Sequence, residues 1–219
     1  MLVGAPMGGK STITATLADA LSRIEMQKVK DAFLSEQEAS PDNSLAVDQK
    51  LKAPKVQIHG INPKSVSIGK LYGDYEKVGD WMDGILAITV RNAAADKSGD
   101  THWIMLDGPV DTLWIENLNT VLDDNKKLCL ISGEIIKLTQ QMTMMFEVED
   151  LQEASPATVS RCGMVYVTPE KLGWEPLLFE WISSIPEGMK ENGMETMYKD
   201  LITAFVPGIM QFLFGKEQS

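Results

Sequence analysis

The eight residues Gly4-Ala5-Pro6-Met7-Gly8-Gly9-Lys10-Ser11 decide how this chain is read. They fit G-x-x-x-x-G-K-[ST], the pattern of a loop whose backbone N–H groups wrap the phosphates of a nucleotide. Glycine reaches backbone angles closed to other residues and leaves room for phosphate oxygens. Lys10 is expected at the β- and γ-phosphates, and the Ser11 hydroxyl at Mg²⁺. Thr12 completes the run of candidate binding residues. An apolar stub, Met1-Leu2-Val3, precedes the loop, and Ile13, Leu17, Leu21 and Ile24 follow it at helical spacing. Strand, loop and helix in that order aim a helix N-terminus, with its unpaired N–H groups and positive dipole, at the phosphates. The stub is shorter than a typical strand of about five residues, so the chain reads as cut from something longer.

A second half-site lies about a hundred residues on, where Thr101–Leu106 is a compact apolar run ending in Asp107. Such a run reads as a buried parallel strand. A carboxylate at the end of that strand, beside a phosphate loop, holds Mg²⁺ directly or through water. The bland alternative for Asp107 is a strand-terminal aspartate that caps the next turn, and the phosphate loop beside it favours the metal reading. Sites that hydrolyse ATP from such a strand usually place a glutamate right after the aspartate, to orient and deprotonate water. Here that position is Gly108, which has no side chain, and Asp111 and Glu116 lie a turn or more away. The site is expected to bind ATP and to be poorly equipped to cleave it.

The rest of the chain alternates strand and helix. Helices are expected over Ser11–Lys30, Gly84–Asp96, Asp111–Asp123 and Ser155–Arg161, the last with Pro156 in its first turn. Strands are expected at Lys55–Ile61, Met142–Val148 and Met164–Val167, with a hairpin of Lys127–Ile131 and Glu134–Leu138 turning at Ser132-Gly133. Ser35–Pro54 reads as a surface loop or weak helix, and Lys64–Asp83 as a structured excursion rich in glycine and aromatics. Beyond Thr168-Pro169 the texture changes to amphipathic helices at Leu172–Ile182 and Met194–Phe205, before Pro207-Gly208 and an apolar tail. The expected organisation is an α/β nucleotide-binding subdomain over 1–169 and the truncated start of a helical small subdomain over 170–219.

A formal net charge of −11 over 219 residues argues against nucleic acid or anionic membrane as the main partner. No apolar run is long enough to span a bilayer, and no signal peptide is read. Two cysteines, Cys129 and Cys162, fit a reducing compartment, and His59 and His102 lack the spacing of a zinc site. Composition thus reads as a soluble intracellular domain. Arginine occurs only at positions 23, 91 and 161, so Arg161 belongs to no basic patch and by composition is a surface residue.

From Asp107 onward the sequence closely resembles dynein heavy chains, through Asp107-Gly108-Pro109-Val110-Asp111, Trp114–Lys126, Phe146–Leu151 and Ala154–Met164. Ile61–Ser65 and Leu71-Tyr72-Gly73 resemble them too, and the Asp-Gly-Pro-Val-Asp variant is similar to the second AAA+ module of the motor ring. Leu172-Gly173-Trp174, with Pro176, Leu177, Leu178 and Trp181, looks axonemal rather than cytoplasmic. The resemblance implies a three-layer αβα AAA+ P-loop domain with a central parallel sheet, followed by part of a helical lid. It implies ATP or ADP with Mg²⁺ as cofactors and a module that binds ATP with little hydrolysis. Asp150 matches the family's sensor residue, where asparagine is commoner in hydrolytic modules. Arg161 matches the arginine finger offered to the neighbouring module, and a second sensor arginine would lie beyond Ser219. The implied partners are neighbouring modules of the same heavy chain and, through the parent, microtubules and dynein intermediate and light chains. The implied location is the cytoplasm and cytoskeleton, in the axoneme of a cilium or flagellum.

Three competing readings stand beside this one. A hydrolytically competent ATPase would use a non-standard base. A phosphoryl-transfer kinase shares the loop but needs an arginine-rich lid, and arginine is scarce after Asp107. An excised fragment with no activity of its own would fail to be stabilised by nucleotide.

Overall fold

Parallel strands need long crossovers, and the chain supplies them, so its strands pair out of sequence order. The computed structural model describes residues 1–39, 53–76, 79–190 and 193–214. Within them β1 (Leu2–Val3) lies between β8 (Met142–Val148) and β9 (Val165–Tyr166). Next to β8 comes β5 (Thr101–Asp107), and next to β5 comes β2 (Val56–Ile61). All four pairings are parallel, giving a five-stranded central sheet in the order β2-β5-β8-β1-β9. Helices flank it, and the architecture is the α/β arrangement of an AAA+ P-loop domain.

One face of the sheet carries the main core. Ile61, Ile104, Leu106, Phe146 and Val148 join Leu86, Ala87 and Val90 of helix α3 (Ile85–Ala95) in one buried cluster. Trp114 lies fully buried there, stacked on Phe146 at 6.2 Å between ring centroids. Its indole N–H donates to the Pro109 carbonyl at 3.1 Å, and its own carbonyl accepts from the Tyr72 hydroxyl at 2.5 Å. Burial, with the charge of Asp111 added, pushes the Tyr72 phenol above its ordinary range. Tyr72 ends helix α2 (Ile68–Tyr72), which leads into a small hairpin of β3 (Gly73–Tyr75) and β4 (Trp81–Asp83). The excursion read from the sequence is this helix and hairpin. A second hairpin, β6 (Lys127–Cys129) with β7 (Ile135–Lys137), falls where the Ser132-Gly133 turn predicts it.

The other face is covered by α1 (Lys10–Ala39), which runs nine residues beyond the expected end at Lys30. The apolar stripe that predicts the helix is not the stripe that packs. Ile13, Leu17, Leu21 and Ile24 are 37–51% exposed, whereas Thr14 and Ala18 are buried. Small and hydroxylated side chains let the helix approach closely, and the Ser22 hydroxyl accepts from the Val56 N–H at 2.9 Å. Of the loop expected over Ser35–Pro54, residues 35–39 are helical and 40–52 lie outside the described residues.

The expected helix Asp111–Asp123 is broken into α4 (Thr112–Ile115), a 3₁₀ turn (Glu116–Leu118) and α5 (Asn119–Leu122). Trp114, Ile115, Leu118 and Val121 are buried across the three pieces. A short helix α6 (Pro156–Ser160) is capped by the Ser155 hydroxyl, which accepts from the Thr158 N–H. At the end of the sheet far from Asp107, His59 and His102 stack at 5.3 Å. The His59 Nε2 and His102 Nδ1 are 3.0 Å apart, and His102 Nε2 is 2.9 Å from Asp96 Oδ2.

The chain divides into two compact units, Met1–Thr168 and Pro169–Ser219. The second holds α7 (Pro169–Leu172), α8 (Glu175–Ser184), α9 (Glu187–Lys190) and α10 (Met194–Phe214). Helix α10 continues through Pro207, where the sequence reading ends it, so the lost N–H costs one helical hydrogen bond without stopping the helix. Trp181 on α8 meets Tyr198 on α10 edge to face at 5.7 Å. No helix among the described residues is long and apolar enough to cross a membrane.

Candidate nucleotide site

The phosphate loop starts where three strands end side by side. The Gly4 N–H donates to the Val148 carbonyl at 3.1 Å, tying the loop to β8 as it leaves β1. A Cβ on Gly4 would lie 1.9 Å from the Val167 carbonyl oxygen, so the approach of the β9 exit leaves space for glycine only. Gly9 takes φ +86, and Met7, 91% exposed at the loop tip, takes φ +65. The Gly8 N–H donates to the Ala5 carbonyl at 3.3 Å, and the Ile13 N–H to the Gly9 carbonyl at 2.9 Å, closing the first turn of α1. Pro6 sits between them, exposed like Ala5.

Lys10 folds back over this loop, its Nζ donating to the Gly4 carbonyl at 2.6 Å and the Ala5 carbonyl at 3.0 Å. The ammonium is therefore held by two carbonyls of the loop that phosphate would occupy. Thr12 lies exposed on the first turn of α1. The Ser11 hydroxyl donates to Glu147 Oε2 at 2.6 Å, and the Thr14 hydroxyl donates to Glu147 Oε1 at 2.9 Å.

Asp107 ends β5 in register with Glu147, so the two side chains leave the same face of the sheet. Gly108 follows, its N–H donating to the Glu147 carbonyl at 3.1 Å. A Cβ added there would meet Asn62 Oδ1 at 3.0 Å and Pro63 Cδ at 3.4 Å. Asp111 is committed elsewhere, as the cap of α4 that accepts from the Trp114 N–H at 3.0 Å and as the ion-pair partner of Lys64. Glu116 is exposed on the 3₁₀ turn.

Asp150, two residues past β8, is exposed and accepts from the Gln152 N–H at 3.0 Å. Arg161 caps the end of α6, pairs through Nε with Asp123 and donates from Nη1 to the Ala157 carbonyl at 2.7 Å. The fold thus gathers Gly4–Ser11, Asp107 and Gly108 at one edge of the sheet and holds Arg161 by its own neighbours. The residues present suit the expected ligands. Loop and helix N-terminus offer backbone N–H groups to phosphate, and Ser11 with Asp107 makes the hard oxygen set that Mg²⁺ takes.

One residue of this site was missed in the sequence. Glu147 is a lone carboxylate inside the apolar run Met142–Val148, and it is 3% exposed. That placement, a charge where a buried strand should be apolar, is the signal that could have found it.

No protein-family model matches the chain. Dynein axonemal heavy chain 12 of Mus musculus is 43% identical over 213 residues, 97% of this chain and 6% of that protein. Dynein axonemal heavy chain 3 of Homo sapiens is 43% identical over 213 residues, 97% of this chain and 5% of that protein. Dynein axonemal heavy chain 6 of Homo sapiens is 45% identical over 196 residues, 89% of this chain and 4% of that protein. The chain spans only 4–6% of the length of these relatives. With a phosphate loop set in a parallel α/β sheet, likeness over nearly the whole chain relates this protein to one AAA+ segment of the axonemal dynein heavy chains.

Proposed function

We propose that the chain is an ATP-binding module of a dynein-type motor, the second in the ring, which holds ATP or ADP with Mg²⁺ and hydrolyses it little or not at all. Gly4–Ser11 and Thr12 take the phosphates, and Ser11 with Asp107 takes the metal, which neutralises charge on the phosphate oxygens when bound. Asp150 stands at the sensor position. Arg161 serves the nucleotide of the neighbouring module. In the parent the partners are adjacent modules, microtubules, and intermediate and light chains, in the axoneme of a cilium or flagellum.

The observation that carries this reading is Gly108, which follows Asp107 without a side chain while Asn62 fills the space a side chain would enter. The competing reading, a competent ATPase with a non-standard base, needs a free carboxylate. Asp111 is taken by Lys64 and the α4 N-terminus, and Glu147 by two hydroxyls. Losing a positioned base costs about 10²–10⁴-fold in rate. The purified chain should therefore bind ATP–Mg²⁺ by calorimetry and release phosphate negligibly. Sustained release that disappears in Lys10→Ala would overturn the proposal.

A further inference from the structure

Glu147 does something at this site that the loop motif does not include. It is a buried carboxylate wedged between β8 and the start of α1, 136 residues from Ser11 in sequence and 2.6 Å from it in space. A carboxylate removed from water is costly unless donors satisfy it. Here two do, one hydroxyl to each oxygen. A serine hydroxyl has one proton and two lone pairs. With the proton committed to Glu147, the Ser11 oxygen can only accept or coordinate, and its rotor is fixed.

We infer that Glu147 is a positioning residue for the Mg²⁺ that accompanies nucleotide. It takes the Ser11 proton and so holds the Ser11 oxygen as a lone-pair donor, a task performed one strand over from Asp107. The inference rests on the proposed reading that the loop binds nucleotide. A purely structural staple between α1 and β8 would use the same two hydrogen bonds, but it would not care whether metal is present. Outer partners that orient a metal ligand typically contribute about 10–100-fold in metal affinity.

The test is the affinity of the chain for ADP, by calorimetry, in saturating Mg²⁺ and again in EDTA. Glu147→Gln is expected to lower the Mg²⁺-dependent gain in ADP affinity about tenfold while leaving affinity in EDTA nearly unchanged. Ser11→Ala should lose the same gain, and the double variant should lose no more, because both changes remove one interaction. Glu147→Asp, which keeps the charge but withdraws it from Ser11, should also lose the gain and serves if the glutamine variant does not fold. Thr14→Val, which removes the other donor, should keep it. An undiminished Mg²⁺ gain in Glu147→Gln, or equal losses with and without metal, would overturn the inference and leave a staple. A wild-type chain that binds ADP in neither condition would remove the nucleotide reading itself and this inference with it.

Discussion

In the proposed reading, Lys10 is the side chain on which nucleotide binding most directly turns. Its ammonium rests on the Gly4 and Ala5 carbonyls, and those contacts are exchanged for phosphate oxygens rather than added to them. Charge-assisted hydrogen bonds of this kind contribute about 1.5–3 kcal/mol, so Lys10→Ala should weaken ATP binding by roughly 10- to 100-fold in a calorimetric titration. Unchanged affinity would count against the loop as a phosphate site. Gly108 makes the opposite kind of prediction, about space rather than charge. Asn62 Oδ1 already accepts from the Lys64 N–H at 2.9 Å, so it is not free to move for a new methyl group. Gly108→Ala should lower stability by about 1–3 kcal/mol, as overpacking does, visible as a lower thermal midpoint. Pairing it with Asn62→Gly should recover most of the loss. Gly4–Ser11, Asp107 and Gly108 are legible in sequence because each half of their site is a contiguous run. Glu147 is not, because its meaning comes from α1 lying over β8, a contact that local spacing does not encode.

Among the elements, periodicity located helices better than it assigned their faces. Ile13, Leu17, Leu21 and Ile24 foretell α1, yet Thr14, Ala18 and Ser22 meet the sheet, since hydroxyls there have strand partners that no helical pattern displays. The run 111–123 reads as one helix because its apolar residues recur, but a 3₁₀ turn at Glu116–Leu118 divides it. Helix α10 carries Pro207 in its interior, where proline costs about 3 kcal/mol relative to alanine. Pro207→Ala should therefore raise the helical content and thermal midpoint of the chain, read by circular dichroism. At the far end of β2 and β5, burial first and the neighbouring His102 second hold the His59 imidazole below its ordinary value of 6.5. The fold thus disfavours protonated His59. Below about pH 6.5 the unfolded chain binds more protons, so this contribution is complete above that pH and is lost as pH falls through it. Hydrogen bonding to Ser98, with a smaller share from His102, holds Asp96 at about 2, so it stays charged throughout that window. Denaturation midpoints should fall from about pH 7 to 5, and His59→Gln should flatten that slope.

For the whole molecule, the sharpest question is whom Arg161 serves. It is half-exposed and tied to Asp123, with no hydrogen bond or ion pair to the loop among the described residues. Arginine fingers act across seams between modules and contribute about 10³–10⁵ in rate where they operate. Arg161→Ala should leave ATP binding by the chain alone nearly unchanged and lower hydrolysis by the full motor. Loss of binding in the chain with motor turnover intact would reverse that assignment, and no change in either would make Arg161 an ordinary surface residue.

The placement of β1 also fixes when a nascent chain acquires its loop. Leu2 and Val3 pair with β8 and β9, strands that come far later in the chain. During synthesis β1 leaves the tunnel long before β8 and β9 and must wait for both before the sheet closes over it. Closing so long a loop costs entropy that no early contact offsets. Chains halted before Val148 should then show Lys10 open to proteolysis and gain no protection from ADP, whereas chains released past Tyr166 should gain it at once. In the proposed reading, nucleotide can seal this domain, but it cannot help to begin it.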